Sequence, residues 1–290
     1  MKRSLELLRI CAVLVPLLCL GSLTAYGYGT KVAIPLPDGG VMPAYAFFPR
    51  HGMRGPLPGV IVGVGVGSQE IPQYQDHCQN LADRNFAVLL IDPSNYPENL
   101  VPGPFSWDRG LGYAIGSVNQ GVVAAKLAVT HSWYLRSIRA AVDYLCCSPF
   151  VDRTRLVISG HSQPANAALT YAGQDPRIKA IVWNYGGSPW VLPYNVFKLP
   201  PICIFHGEDD DVYDVKYARK LAFDLHTNAK YYELNIYPHQ KHMFNVYYDL
   251  FTENRFMKPV ILESFERLVS FLNRILCIPP PASPPSRRPR

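Results

Sequence analysis

The sequence predicts an α/β fold with a mostly parallel central sheet of about eight strands and helices on both faces. Short apolar runs rich in β-branched residues alternate along the chain with stretches that have helical spacing. Such alternation predicts parallel strands, because parallel neighbours need a crossover connection that is usually a helix. Several apolar runs are uninterrupted by polar residues, which is typical of strands buried on both faces.

The first half of the chain supplies the elements of one side of this sheet. They are strands at 31–35, 43–48 and 59–66, a helix at 73–85 and a strand at 86–91. The first two strands are joined by Asp38-Gly39-Gly40, a sequence that favours a tight turn. The third strand ends in a glycine-rich segment.

The second half alternates more regularly. It predicts a helix at 132–147, a strand at 156–159, a helix at 163–174, strands at 180–183 and 202–205, a helix at 214–227, a strand at 231–236 and a helix at 260–276. Residues 118–128 also have some helical character. The order favours an open sheet whose functional residues lie at the carboxyl ends of its strands.

The chain of 290 residues, 48% of them apolar, is long enough to bury one sizeable core, which we place at 26–278. Residues 1–25 combine Lys2 and Arg3 with an apolar run at 10–20 and then small residues. This pattern predicts a signal peptide or an N-terminal membrane anchor, and hence an exported protein that is secreted, periplasmic or anchored.

Two further segments differ from the core in composition. Residues 97–131 are rich in proline, glycine and aromatic residues, and such long insertions are usually functional, so we expect a lid-like insertion here. Residues 279–290 are rich in proline and arginine and predict a disordered tail.

Charge and cysteine content exclude several classes of function. The formal net charge is +6, but most of it lies in the leader and the tail, and the body carries no basic stripe that would indicate nucleic-acid binding. The five cysteines beyond the leader have neither metal-ligand spacing nor an even count. We therefore predict no metal, no nucleic-acid partner and membrane attachment only through the N-terminal segment.

The most informative segment is VISGHSQPANAAL, at 157–169. It predicts a strand, a sharp turn that carries Ser162 and an alanine-rich helix, which is the context of a nucleophile elbow. The G-x-S-x-G pattern of such elbows has glycine where this chain has Pro164. Proline disfavours a helical conformation of Gln163, although the first turn of a helix tolerates it.

A serine nucleophile needs a base, and the base needs an orienting acid. The acid candidate is Asp210, which follows a predicted strand, with Asp209 and Asp211 as alternatives. The base candidate is His242, in the loop after the next strand, with His239 as the alternative. The chain order Ser, acid, His is that of elbow hydrolases.

The oxyanion formed by a serine nucleophile needs two N–H donors. One is expected from Gln163, and the other from Val64 or Val66 in the glycine-rich loop after the third strand. The same loop is superficially similar to a phosphate cradle, but no Gly-Lys-Ser/Thr follows it, so we predict no nucleotide and no other cofactor.

Four blocks in this order resemble the α/β-hydrolase superfamily, and most of all its dienelactone-hydrolase-like branch. They are PFVDRTRLVISGHSQ, AGQDPRIKAIV, FHGEDD and YPHQKHMF, and the resemblance extends from about residue 58 to residue 272. It implies an α/β-hydrolase fold, a triad of Ser162, Asp210 and His242, and cofactor-free hydrolysis of ester or lactone bonds through an acyl-enzyme. The namesake enzymes use cysteine at the elbow, and serine makes this chain similar to the exported esterases of the branch.

We therefore predict a serine hydrolase that acts on a small-molecule ester. Pro164 leads us to expect reduced or specialised activity, because a shifted Gln163 would weaken one oxyanion donor. The alternative is a catalytically impaired binding protein that keeps the same fold.

Overall fold

A computed structural model describes residues 29–37, 39–65, 68–93, 120–187, 194–246 and 259–277, with 120–131 as helical backbone. The expected leader (1–25), most of the expected lid (97–119) and the expected tail (279–290) lie outside these ranges. Among the described helices, none is long and apolar enough to cross a membrane.

The described chain forms one sheet and its covering helices. The strands are β1 (Thr30–Pro35), β2 (Val41–Phe47), β3 (Leu57–Gly63), β4 (Ala87–Ile91), β5 (Val151–His161), β6 (Ile178–Asn184), β7 (Ile202–Gly207) and β8 (Tyr232–Tyr237). The helices are α1 (Pro72–Ala82), α2 (Gln120–Cys147), α3 (Gln163–Ala172), α4 (Lys216–Thr227) and α5 (Pro259–Ile275), with short 3₁₀ turns at Ser68–Glu70 and Val196–Lys198.

The eight strands follow the order β1-β2-β4-β3-β5-β6-β7-β8. The pairs β1–β2 and β2–β4 are antiparallel, and every other pair is parallel. The predicted fold class is thus confirmed. Because β5, β7 and β8 run in the same direction, the loops that follow them meet at one edge of the sheet.

The core consists of two apolar layers, one on each face of the sheet. Ile61, Ile158 and Ile204 point to one layer, which α2, α3 and α4 cover. The alternate strand positions point to the other layer, beneath α1 and α5, and include Val157 and Cys203. Burial on both faces explains the uninterrupted apolar runs.

Several boundaries differ from the predicted ones for local reasons. β5 begins at Val151 because its polar first half continues to pair with the start of β3, where the register shifts between Pro58 and Gly59. α1 ends at Ala82, and Asn85 just beyond it has a positive φ of 68°, which is incompatible with continuing the helix. α2 joins the two predicted helical stretches into one helix.

Candidate active site

Ser162 lies at the sharp turn where β5 passes directly into α3. Its φ of 64° and ψ of −129° fall outside the regions that side chains ordinarily adopt, so the turn is strained. Hydrogen bonds to two neighbouring elements hold the turn in this strained conformation. The N–H of Ser162 donates to the Asn184 carbonyl of β6 at 3.0 Å, and its carbonyl accepts from Ala165 of α3 at 3.1 Å.

The turn requires glycine at position 160. A Cβ atom built on Gly160 would lie 2.4 Å from the Cα of Ala165, so any side chain would push α3 away from β5. The first glycine of the elbow pattern therefore allows close packing of the helix on the strand, and this packing places Ser162 at the tip of the turn.

Pro164 is accommodated within the elbow. It is the second residue of α3, a position whose N–H has no partner within the helix, so nothing is lost by its absence. α3 nevertheless begins at Gln163, which shows that the proline does not displace the start of the helix. The side chain of Pro164 is buried.

The side chains of Ser162, His242 and Asp210 form a continuous hydrogen-bonded row. His242 Nε2 lies 3.1 Å from Ser162 Oγ, and His242 Nδ1 lies 2.8 Å from Asp210 Oδ2. The Asp210 side chain is fully buried, and that of His242 is 12% exposed. This arrangement assigns the proton of His242 to Nδ1, which donates to the carboxylate, and leaves Nε2 to accept from the serine hydroxyl.

The alternative acids and the alternative base lie apart from this row. Asp209 faces His239, with 3.6 Å between carboxylate and imidazole, and Asp211 faces Lys241 at 3.4 Å. All four side chains are well exposed. Only Asp210 points inward, because the N–H groups of Val212 and Tyr213 donate to its Oδ1 at 2.9 and 2.8 Å.

The loops that carry the acid and the base are in direct contact. The N–H of Asp209 donates to the Gln240 carbonyl at 3.0 Å, and that of Glu208 donates to Tyr237 at 2.9 Å. Gly207 permits this approach, since a Cβ there would lie 2.2 Å from the Gln240 carbonyl oxygen. The separation of Asp210 and His242 is therefore set by backbone contacts as well as by their own hydrogen bond.

The three residues expected to donate an N–H to the oxyanion differ in whether that N–H is available. Gln163 is the first residue of α3, so its N–H has no acceptor within the helix and remains available. The N–H of Val64 donates to the Ile91 carbonyl at 3.1 Å, which commits it to the sheet and corrects our expectation for that residue. Val66 lies outside the described residues.

A model of the dienelactone hydrolase family matches residues 42–276, which covers most of the chain. The chain belongs to the dienelactone hydrolase family. It is an esterase-type hydrolase of that family.

Individual relatives are distant in sequence but similar over most of their length. A curated Methylorubrum extorquens protein, provisionally named a carboxymethylenebutenolidase, is 25% identical over 232 residues, which are 75% of this chain and 72% of that protein. Among solved structures, a dienelactone hydrolase-like promiscuous phosphotriesterase from metagenomic libraries has a TM-score of 0.61 at 19% identity and covers 86% of this chain and 99% of its own. Thermogutta terrifontis esterase 2 has a TM-score of 0.59 at 17% identity, covering 90% and 100% respectively.

Two buried histidines support the site of this dienelactone hydrolase family member. His206 Nε2 donates to the Tyr213 carbonyl at 2.8 Å and lies 3.3 Å from Asp210 Oδ2. His161 Nδ1 lies 2.7 Å from the Tyr185 hydroxyl. Burial lowers the pKa of both imidazoles, that of His161 to well below its ordinary value, so both are neutral and hold neighbouring groups by hydrogen bonds.

Two tyrosines near the triad were not predicted from the sequence. The ring of Tyr185, just after β6, meets the His242 ring edge-on with 4.7 Å between centroids. The ring of Tyr213 meets the same imidazole at 5.6 Å. The position of Tyr213, three residues after Asp210, is the one sequence feature that indicates its proximity.

No group of three or more histidine, cysteine or acidic side chains in the described ranges has the geometry of a metal site. The side chains brought together at this edge of the sheet are a hydroxyl, an imidazole and a carboxylate.

Proposed function

We propose that this chain hydrolyses carboxylic ester or lactone bonds of small molecules through a Ser162–His242–Asp210 triad. One observation carries the proposal. The His242 imidazole bridges Ser162 Oγ at 3.1 Å and Asp210 Oδ2 at 2.8 Å, so a base, its orienting acid and a nucleophile are hydrogen-bonded in one row.

In the acylation step, Ser162 Oγ attacks the substrate carbonyl while its proton passes to His242 Nε2. The resulting imidazolium is stabilised by the buried Asp210 carboxylate, which keeps its negative charge. The oxygen of the tetrahedral intermediate is stabilised by the Gln163 N–H at the start of α3, where the helix dipole also favours negative charge. His242 then returns the proton to the leaving alkoxide, and the acyl group stays on Ser162.

In the deacylation step, water takes the place of the departed alcohol. His242 Nε2 accepts a proton from that water as its oxygen attacks the acyl carbonyl, and the proton then returns to Ser162 Oγ. In a lactone the alcohol and the acid belong to one molecule, so the leaving oxygen stays attached to the acyl-enzyme. Neither step needs a cofactor, because His242 provides both the base and the acid.

Family membership and the names of the relatives support ester and lactone bonds as the substrate class. The alternative is a binding protein without catalysis, and the proline at position 164, where the elbow pattern has glycine, is the feature that favours it. The geometry argues against that alternative, because α3 begins at Gln163 and Ser162 Oγ contacts His242 with the proline in place.

The test is covalent labelling of the folded protein with a fluorophosphonate, followed by peptide mass spectrometry. We expect the label on Ser162, with none on Ser162→Ala, and hydrolysis of short-chain p-nitrophenyl esters that the same substitution abolishes. A folded wild-type protein that neither takes the label nor hydrolyses any ester in an acyl-length series would favour the binding protein.

We also propose that the protein is exported and that its only attachment to a membrane is through residues 1–25. The basic residues followed by an apolar run support this proposal. N-terminal sequencing of protein recovered from the secreted and membrane fractions distinguishes cleavage near Ala25 from retention as an anchor, and recovery only from the cytosol would contradict export.

A further inference from the structure

Tyr213 is held beside the triad by four contacts. Its N–H donates to Asp210 Oδ1 at 2.8 Å, and its carbonyl accepts from His206 Nε2 at 2.8 Å. Its ring meets the His242 ring at 5.6 Å with an interplanar angle of 73°. A Cβ added to Gly187 would lie only 2.9 Å from the ring, so the ring packs directly on that backbone. The orientation of Tyr213 is thus determined by its surroundings.

The hydroxyl of Tyr213 extends to the nucleophile. It interacts with the side chains of both Ser162 and Gln163. Burial raises the pKa of Tyr213, and these two hydrogen bonds lower it by less, so the hydroxyl keeps its proton at neutral pH. A protonated phenol is a hydrogen-bond donor.

The neighbouring contacts allow one consistent direction for these interactions. The Tyr134 hydroxyl donates to Gln163 Oε1 at 3.1 Å, which leaves the Nε2 amide of Gln163 as the donor group of that side chain. A Tyr213 oxygen that accepts from this amide keeps its own proton for Ser162 Oγ. Ser162 Oγ lies 3.1 Å from His242 Nε2, to which its proton is directed.

We propose that Tyr213 is a further catalytic residue, whose hydroxyl donates a hydrogen bond to the oxyanion that forms on the substrate carbonyl. This inference rests on the proposed function. When Ser162 Oγ bonds to the carbonyl carbon, Oγ becomes a poor acceptor, and negative charge develops on an oxygen attached to the same carbon. The Tyr213 O–H then donates to the former carbonyl oxygen of the substrate instead of to Ser162 Oγ. Its proton stays on the tyrosine throughout.

The backbone gives a reason for a side-chain donor at this site. The Val64 N–H is bonded to the Ile91 carbonyl, so of the expected backbone donors that lie within the described residues only the Gln163 N–H remains available. A hydroxyl that is already ordered against Ser162 needs little reorganisation to serve as an additional donor. Because burial raises the pKa of Tyr213, the hydroxyl keeps its proton at neutral pH and can donate in both half-reactions.

The test compares wild type with Tyr213→Phe, which keeps the ring contacts with His242 and Gly187 and removes only the hydroxyl. We expect kcat for a short-chain ester to fall about 100-fold, with KM within about threefold, because the lost contact forms in the transition state. Affinity for an alkylboronic acid, which forms a tetrahedral adduct on the nucleophile, should fall by a similar factor. The thermal unfolding midpoint should stay within about 2 °C of wild type.

Tyr134→Phe is the matched control, because it also removes a hydroxyl that contacts the Gln163 side chain but does not reach Ser162. We expect its kcat to fall less than about fivefold. An equal fall in the two variants would assign the effect to the anchoring of Gln163 and overturn the inference.

The two proposals fail in different ways. If wild type is labelled at Ser162 and hydrolyses esters while Tyr213→Phe keeps more than half of its kcat, the role of Tyr213 is refuted and the triad stands. A boronic acid affinity that is unchanged in Tyr213→Phe refutes it as well. If wild type shows neither labelling nor turnover, the proposed function falls and this inference falls with it.

Discussion

The side chain of Pro164 occupies the space that a side chain on Gly63 would otherwise need. A Cβ atom added to Gly63, the last residue of β3, would lie 3.3 Å from the Cβ of Pro164. This separation is tighter than ordinary van der Waals contact. The elbow therefore tolerates proline in its last pattern position because the adjacent strand ends in a residue without a side chain.

This relationship makes Pro164→Gly informative. Because α3 already begins at Gln163, we expect kcat to remain within about threefold of wild type, and the free energy of unfolding to fall by about 1–2 kcal/mol through lost packing and a more flexible unfolded chain. Ester hydrolysis and urea denaturation measure the two effects. A large rise in kcat would show that the proline displaces the Gln163 N–H after all.

Gly63→Ala tests the packing side of the same contact. We expect it to cost about 1–2 kcal/mol of folding free energy when residue 164 is proline and less when residue 164 is glycine. The four proteins form a double-mutant cycle, which isolates the interaction between the two positions. Equal costs in both backgrounds would show that the strand end and the elbow are not coupled.

Gly160→Ala should be more severe. Its Cβ would lie 2.4 Å from backbone atoms of Ala165, which cannot move without displacing α3 from β5. We expect a loss of about 3 kcal/mol or more and a loss of fluorophosphonate labelling, since Ser162 sits between the two elements. Gly39→Ala is not an equivalent control because its φ is positive, whereas Gly65→Ala meets no atom within 4 Å and is expected to fold normally. A fully labelled Gly160→Ala protein would contradict this account of the elbow.

The row of three aspartates at 209–211 offers a test with internal controls. Asp210→Asn removes the carboxylate that accepts from His242 Nδ1, so we expect kcat to fall about 10³- to 10⁴-fold. Asp209→Asn and Asp211→Asn remove exposed carboxylates that face His239 and Lys241, and we expect changes below about threefold. Steady-state kinetics on one ester compares all three. An Asp209 or Asp211 variant as impaired as Asp210→Asn would show that the acid has been assigned to the wrong residue.

His77 predicts a pH dependence of stability. Its ring is buried in α1 between Phe265 and His161, its Nε2 has no partner within the described chain, and burial lowers its pKa to about 4. The unfolded chain, with an ordinary histidine pKa near 6.5, binds the proton more readily between these values, so stability is lost as the pH falls from about 6.5 toward 4. We expect His77 alone to contribute about 2 kcal/mol of the loss between pH 7 and pH 5.

His77→Leu should reduce that loss, measured as the change in the free energy of unfolding between pH 7 and pH 5. A residual loss is expected, because burial also lowers the pKa of His161. A His77→Leu variant whose stability has the same pH dependence as wild type would show that His77 is not the group that titrates.

The order of the elements along the chain was sufficient to predict the sheet, because short apolar runs rich in β-branched residues alternate with helical stretches, as parallel strands and their crossover helices do. The elbow was predictable for a similar reason. A strand, a turn with Ser162 and an alanine-rich helix follow one another without a linker, so their geometry depends on neighbouring residues. The starting point of β5 was not predictable, since its polar first half is stabilised by pairing with β3.

The sequence by itself thus determined the fold class, the position of Ser162, and a choice among three acids and two histidines. Tertiary structure decided between these candidates. Asp210 is turned inward by two N–H groups of its own loop, whereas His242 is selected because its loop is held against that of Asp210 through Gln240. The Val64 N–H is paired with the Ile91 carbonyl of β4, and the loop after β7 brings the ring of Tyr213 against that of His242. Which polar groups meet at this edge depends on contacts between segments far apart in the chain, and local sequence patterns carry no record of them.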